Sequence, residues 1–302
     1  MGYDLAHHSD FVQTHTKAYR LHDGYQLLFG VDPDAGKCAD FKRLTDRPAY
    51  RSLHEAMRHS SSVDVVSLCV GVEHRCDLWQ AMAQMHPKVV IVEKPLAQNL
   101  REARKILLWA KANKVDLCVN YLRRFDPSTM ELKSIFKERK YGKVTGVDIR
   151  YNGGFYNNAS HYIDMMLVLF GKPLQVSRGL ICKRGNDYAV DFTITYPGFV
   201  VHGRSVDVDC PIGELTFWCE GAQICYRKFG QVIDVLTLQP DPVFRKFNEL
   251  APKAQIKSRL AYAMGRMIDQ VYRFCSGHGN MGSSGKDALE TLEICERIIL
   301  KH

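Results

Sequence analysis

Apolar and polar positions fall into two regimes in the first part of the chain. Short runs of branched apolar residues recur at Val63-Asp64-Val65-Val66-Ser67-Leu68-Cys69-Val70, Val89-Val90-Ile91-Val92 and Val115-Asp116-Leu117-Cys118-Val119. Their length and β-branched content predict strands buried on both faces. Residues 73–85 and 97–113 between them have the length and the helix formers of crossover helices. Strand, helix, strand, helix, strand in that order specifies a parallel α/β sheet. The run Tyr25-Gln26-Leu27-Leu28-Phe29-Gly30-Val31-Asp32 reads as a further strand, and it ends in an acid.

Beyond Pro127 the pattern changes. A helix over about 128–140 leads to a strand over Lys143 to Tyr151, and more strands are predicted near 174–183, 188–196, 199–206, 213–219, 223–228 and 231–238. Pro197-Gly198 and Glu220-Gly221 supply hairpin-like joints. Strands that follow one another without intervening helices imply an antiparallel sheet. Helices over about 254–276 and 286–300 close the chain, separated by a Gly/Ser-rich run from Ser276 to Gly285. The fold class is therefore α/β: a Rossmann-like doubly wound parallel sheet, followed by an α+β domain with an open, mainly antiparallel sheet. The domains are expected at 1–121 and 122–302.

Composition narrows the classes. At 302 residues, two domains are the natural expectation. Apolar residues at 46% and charged residues at 25% are ordinary globular values, which argues against disorder. The apolar stretches are too short to cross a bilayer and the amino terminus has no signal pattern, so a cytoplasmic protein with no membrane partner is expected. The ten cysteines show no Cys-x-x-Cys and no zinc spacing, and they read as reduced, mostly core residues with no metal site. A net charge of +8 favours anionic partners in general. Its basic residues lie in mixed runs such as Lys137-Glu138-Arg139-Lys140, which suit a solvated helix face, and no nucleic-acid motif accompanies them.

The candidate chemistry sits at strand ends. Gly71-Val72-Glu73-His74, Glu93-Lys94-Pro95 and Asn120-Tyr121-Leu122-Arg123-Arg124 all follow predicted parallel strands, at the edge where doubly wound sheets hold ligands. Asp32 ends its own strand; an acid there can accept from the ribose hydroxyls of a dinucleotide and repel a 2′-phosphate, although a turn aspartate before Pro33 is the alternative. Residues 157–170 read as a helix with Asn157, His161 and Asp164 on one face. Imidazole is suited to move a hydroxyl proton near neutral pH, whereas a histidine on such a helix is by base rate a core residue. The polar segment with His7, His8 and His15 reads as solvated rather than metal-binding, with no catalytic role.

Taken together, Val31-Asp32-Pro33-Asp34, Val63-Asp64-Val65-Val66 with His74, Glu93-Lys94-Pro95-Leu96, Asn120 to Pro127, Ser160-His161-Tyr162-Ile163-Asp164 and Gly285-Lys286-Asp287-Ala288-Leu289 resemble the glucose-fructose oxidoreductase and inositol dehydrogenase family. The resemblance implies a dehydrogenase acting on a sugar, sugar nucleotide or cyclic polyol with NAD, NADP being less expected beside Asp32. It implies Lys94 and His161 as catalytic residues, with Asn157, Asp164 and Tyr121 on the substrate. Asp32, Gly71, His74, Glu93, Lys94 and Arg124 are implied on the cofactor. Family relatives associate through the open sheet, so a homodimer or homotetramer is implied as well. Asn157 stands where the family commonly has an aspartate; asparagine cannot take a proton at neutral pH, which shifts the burden to His161 and Lys94.

A first strand and a Gly-rich phosphate turn are expected before Tyr25, yet the resemblance begins at about Gly2. The dinucleotide domain is therefore expected to be amino-terminally incomplete, either because the sequence starts at an internal methionine or because the molecule is a shortened relative. Two other functions stay open: an NAD-dependent glycosidase on the same scaffold, and a non-catalytic binding or assembly protein.

Overall fold

A computed structural model describes residues 11–60 and 62–300. Gly2, His7 and His8 lie outside the described residues. The chain divides into two compact units: one comprises the chain up to Phe125 together with Ala261–Leu289, the other Asp126–Leu260 with the chain from Glu290.

In the first unit the chain runs α1 (His15–Arg20), β1 (Gly30–Val31), α2 (Ala35–Thr45), β2 (Ala49–Tyr50), α3 (Leu53–Met57), β3 (Val65–Leu68), α4 (Leu78–Ala83), β4 (Val89–Val92), α5 (Leu100–Asn113) and β5 (Asp116–Val119). The parallel strands form a triplet, β3-β4-β5, and a separate pair, β1-β2. All four side chains of β4 are fully buried, as a strand covered on both faces requires. Each contributes on the order of 1.5–3 kcal/mol by leaving water. Asn99 caps α5 by accepting from Glu102 N, while the Glu102 carboxylate accepts from Gln98 N, a reciprocal closure of the helix start. β1 is much shorter than the run from Tyr25 to Asp32 suggests. Tyr25 packs its ring on Tyr19, His22 and Tyr272 and donates its hydroxyl to Ile268 O, which draws the start of the run away from the ladder.

The second unit begins where Asp126 caps the next helix. Its buried carboxylate accepts from Ser128 N, Arg259 N and the Ser258 hydroxyl, with Pro127 at the first helical position. The elements are α6 (Pro127–Lys137), β6 (Val144–Tyr151), α7 (Ser160–Phe170), β7 (Gln175–Arg184), β8 (Asp187–Tyr196), β9 (Phe199–Ser205), β10 (Gly213–Cys219), β11 (Ala222–Arg227), β12 (Val232–Pro240) and β13 (Asn248–Ile256). The strands lie in the order β13-β12-β11-β10-β6-β9-β8-β7. Only the β6–β9 neighbours are parallel, so the sheet is mainly antiparallel among the described residues. Alternate residues such as Val190, Phe192, Ile194 and Tyr196 of β8 enter one core together with Ile163 and Met166 of α7.

Two helices follow, α8 (Ala263–Cys275) and α9 (Gly285–Leu300). The helix expected from about 254 starts later because Asn248–Ile256 is a strand. Pro252 hides that strand from a propensity reading, but at the outer edge of the sheet, beside a register shift opposite Val235/Leu236, a missing N–H is tolerated. α8 belongs to the first unit: it buries Ala263, Met264, Met267, Ile268 and Val271, and Val12 N donates to Ala261 O. The chain therefore crosses between units near 125, 260 and 289, in place of one crossing near 122. No helix among the described residues is long and apolar enough to cross a membrane.

Candidate active site

The parallel register brings the ends of β3, β4 and β5 side by side. Glu93 N donates to Leu68 O at 3.2 Å and Asn120 N donates to Val92 O at 2.8 Å, so the residues that follow three strands sit on one edge. There Asn120 Nδ2 donates to Glu93 Oε1 at 2.7 Å. His15 of α1 meets the same oxygen with Nε2 at 3.0 Å and Ser67 Oγ with Nδ1 at 2.9 Å. Ser67 in turn is 2.7 Å from the Tyr19 hydroxyl. A neutral imidazole has one donor, whereas the imidazolium donates to both oxygens.

The charges agree with that geometry. Burial pulls the His15 imidazolium down, but Cys69 and Glu93 outweigh it and raise its pKa to about 10. Burial pushes Glu93 up, and His15, Asn120 and Lys94 more than reverse it, so its carboxyl lies below the usual carboxylate range. His15 side-chain exposure is 9% and that of Glu93 is 32%, so the pair is desolvated on the histidine side and wetter on the carboxylate side. The reading of His15 as a solvated histidine is thus overturned: it is buried against Ser67, Cys69 and Glu93.

Arg75 is a second buried cation here, 2% exposed. Its guanidinium donates from Nε to Val70 O at 2.8 Å and from Nη1 to Pro95 O at 2.5 Å, which ties the turn after β3 to the turn after β4. Lys94 is half-buried between Glu93 and Pro95 and acts electrostatically on the Glu93 carboxylate; the Lys94–Pro95 peptide is cis. Gly71 and His74 are exposed, with His74 near Glu73. Tyr121 is buried and not open to a ligand, contrary to its expected place on the substrate. Arg124 pairs with Asp287 at 3.1 Å, and Asp287 accepts from the backbone N–H and the hydroxyl of Ser284, so the arginine is engaged with the Gly285-Lys286-Asp287 segment. Asp32 ends β1; its Oδ1 accepts from Asp34 N at 3.0 Å and its Oδ2 lies 4.0 Å from Lys37 Nζ.

In the second unit, Asn157, His161 and Asp164 do not share one regular helix. Residues 155–159 form a wider π-type turn in which Ala159 N donates to Gly154 O, and α7 starts at Ser160. The turn is held by Asp187, whose carboxylate accepts from Tyr156 N at 3.0 Å and Asn157 N at 2.9 Å. Gly154, at φ +102°, permits this: a Cβ there would lie 2.2 Å from Asp187 Oδ2. Asn157 is exposed and its amide donates to Gly153 O. His161 is half-buried at the head of α7. Asp164 is buried and accepts from the Thr291 hydroxyl at 2.9 Å, which places its carboxylate inside the unit rather than on a substrate.

The parts played by His15, Arg75 and Asp187 escaped the sequence reading because their partners lie 20 or more residues away, a carboxylate for His15, a carbonyl for Arg75 and backbone N–H groups for Asp187, with no local pattern. The cysteines are free; Cys38, Cys118 and Cys295 are buried, but Cys69, Cys76, Cys182 and Cys210 are exposed, so the core reading fails for these four.

Residues 9–121 match the model of an oxidoreductase family with an NAD-binding Rossmann fold, GFO_IDH_MocA. Over these residues the chain resembles the Gfo/Idh/MocA family. It is 24% identical over 221 residues to scyllo-inositol 2-dehydrogenase (NADP(+)) IolW of Bacillus subtilis, covering 66% of this chain and 57% of that one. The chain spans about half the length of the curated relatives it matches. Among solved structures, UDP-N-acetylglucosamine 3-dehydrogenase GnnA from Acidithiobacillus ferrooxidans has a TM-score of 0.74 at 15% identity, covering 94% of this chain and 91% of that one. An Agrobacterium radiobacter oxidoreductase in complex with NAD+, L-tartaric acid and magnesium gives 0.74 at 13% identity, covering 94% and 91%. These structural likenesses establish the fold.

Proposed function

We propose that the chain is an NAD-dependent oxidoreductase that moves a hydride to or from a hydroxyl-bearing carbon of a sugar, sugar nucleotide or cyclic polyol. The observation that carries the reading is the strand-end edge of the first unit. There Lys94 follows an ionised, hydrogen-bonded Glu93, on a parallel sheet whose family binds NAD.

The residues present fit a dinucleotide. Asp32 stands at the carboxyl end of a parallel strand with one oxygen taken by Asp34 N, which leaves the other for a ribose hydroxyl. Lys94 and Glu93 would hold the nicotinamide side. Bound NAD would supply the hydride acceptor. Lys94 would polarise the reacting oxygen with its ammonium, and His161 would take the hydroxyl proton or return it in the reverse direction. Asn157, exposed on its π-type turn, would orient a hydroxyl of the substrate as donor and acceptor. Arg124 has a structural partner in Asp287 and is not required on the cofactor.

The test of cofactor competence is calorimetric titration of the chain with NAD and with NADP. The reading expects saturable binding with NAD tighter; no binding of either would favour the non-catalytic alternative.

A further inference from the structure

The strongest feature outside the family's own motifs is the chain of hydrogen bonds Tyr19–Ser67–His15–Glu93–Asn120, which converges on the residue before Lys94. Two features set it apart from ordinary core packing. His15 satisfies both ring nitrogens on oxygens of different strand ends, and Glu93 spends a single oxygen, Oε1, on both His15 and Asn120. Lys94 is the next residue along the chain, and its charge acts on the Glu93 carboxylate. We propose that His15 is the positioning residue for Lys94: through its ion pair it fixes the Glu93 carboxylate and sets the net charge that the lysine meets. This rests on the proposed role of Lys94, but it concerns the lysine's surroundings and is measurable without turnover.

Charged and titratable groups from several elements surround the pair. Cys69 at the end of β3 lies beside His15, and Tyr19 of α1 reaches it through Ser67. Arg75 from the loop after β3 and Lys94 act electrostatically on Glu93, and Asn120 follows β5. When His15 is protonated its charge offsets that of Glu93. If His15 becomes neutral while Glu93 stays ionised, that offset is lost and Lys94 holds its proton more tightly. If Glu93 is neutralised, His15 loses the partner that keeps it charged, Lys94 loses the nearer charge, and the lysine gives up its proton more easily.

The test follows the ammonium directly. The full chain is reductively methylated with 13C-formaldehyde, the Lys94 resonance is assigned by its loss in Lys94→Arg, and its titration is read in wild type, His15→Gln and Glu93→Gln. His15→Gln is expected to move the Lys94 titration up and Glu93→Gln to move it down, each by on the order of one pH unit. Ser67→Ala, which keeps both charges, is expected to move it by far less. Shifts of the same sign in both variants, or none, would overturn the proposal, because mere loosening of the turn drives Lys94 toward its solvent value in either case. Should His15→Gln fail to fold, Glu93→Gln alone decides: an unmoved or raised titration rejects the proposal. An oxidoreductase reading that fails for lack of cofactor binding leaves these NMR shifts unaffected.

Discussion

The His15 imidazole stands 3.0 Å from the Glu93 carboxylate across 78 residues of sequence. That contact joins the first helix of the described chain to the end of the most deeply buried strand, and it gives the strand-end edge its charge.

It also makes stability depend on pH in a stated window. The folded imidazolium titrates at about 10 against an ordinary value of 6.5. A raised value means that the full contribution is present below 6.5 and is lost as the pH rises toward 10. Glu93, lowered, contributes above the ordinary carboxylate value and loses its part as acid reaches its folded value. His15→Gln should therefore destabilise by roughly 3 kcal/mol near neutral pH, the low end for a broken buried pair because water reaches Glu93. Denaturant melts of wild type and variant should converge above pH 10. A constant gap across the window would contradict the account.

Arg75→Met keeps the apolar stem and deletes the guanidinium that bridges Val70 O and Pro95 O. Two carbonyls lose charged donors, so a loss of about 2–4 kcal/mol in chemical denaturation is expected. A variant within about 0.5 kcal/mol of wild type would show that the bridge carries no stability.

Gly154→Ala places a methyl against Asp187 and forces a positive φ on alanine. The expected loss is about 2–3 kcal/mol, most of it from the displaced Asp187 bonds to Tyr156 N and Asn157 N. Asp187→Asn, which keeps one acceptor oxygen, should cost less. Thermal melts of the two variants give the order, and a reversed order would contradict it.

Asp32→Ser removes the charge that faces a 2′-phosphate and leaves Lys37 nearby. NADP affinity should rise about tenfold relative to NAD, a change of about 1.4 kcal/mol. Competitive calorimetry reads the ratio; an unchanged ratio would show that Asp32 does not choose the cofactor.

Much of this molecule was legible in its sequence, for physical reasons that vary by element. β4 announces itself through four consecutive branched apolar residues, and α5 through a run of helix formers of crossover length. Successive strands without intervening helices gave the antiparallel sheet. What local pattern could not give was long-range recruitment. Pro252 disguised an edge strand, an aromatic cluster around Tyr25 shortened β1, and the π-type turn at Asn157 depends on an aspartate 30 residues away. Lys94 was singled out from Glu93-Lys94-Pro95 read with the neighbouring strand ends and the family resemblance, but the burial of His15 needed three dimensions, since nothing in a polar segment rich in histidine marks which ring is enclosed.

The most direct test of the central claim is hydride transfer itself. Wild type, Lys94→Ala and His161→Ala are incubated with NAD and a panel of cyclic polyols, sugars and sugar nucleotides, and the near-ultraviolet absorbance of reduced nicotinamide is followed. The account predicts substrate-dependent NADH formation by wild type and a fall of at least about a hundredfold in each variant that folds and still binds NAD. Undiminished turnover in both variants, or NAD bound by wild type with no hydride transfer to it from any member of the panel, would contradict it.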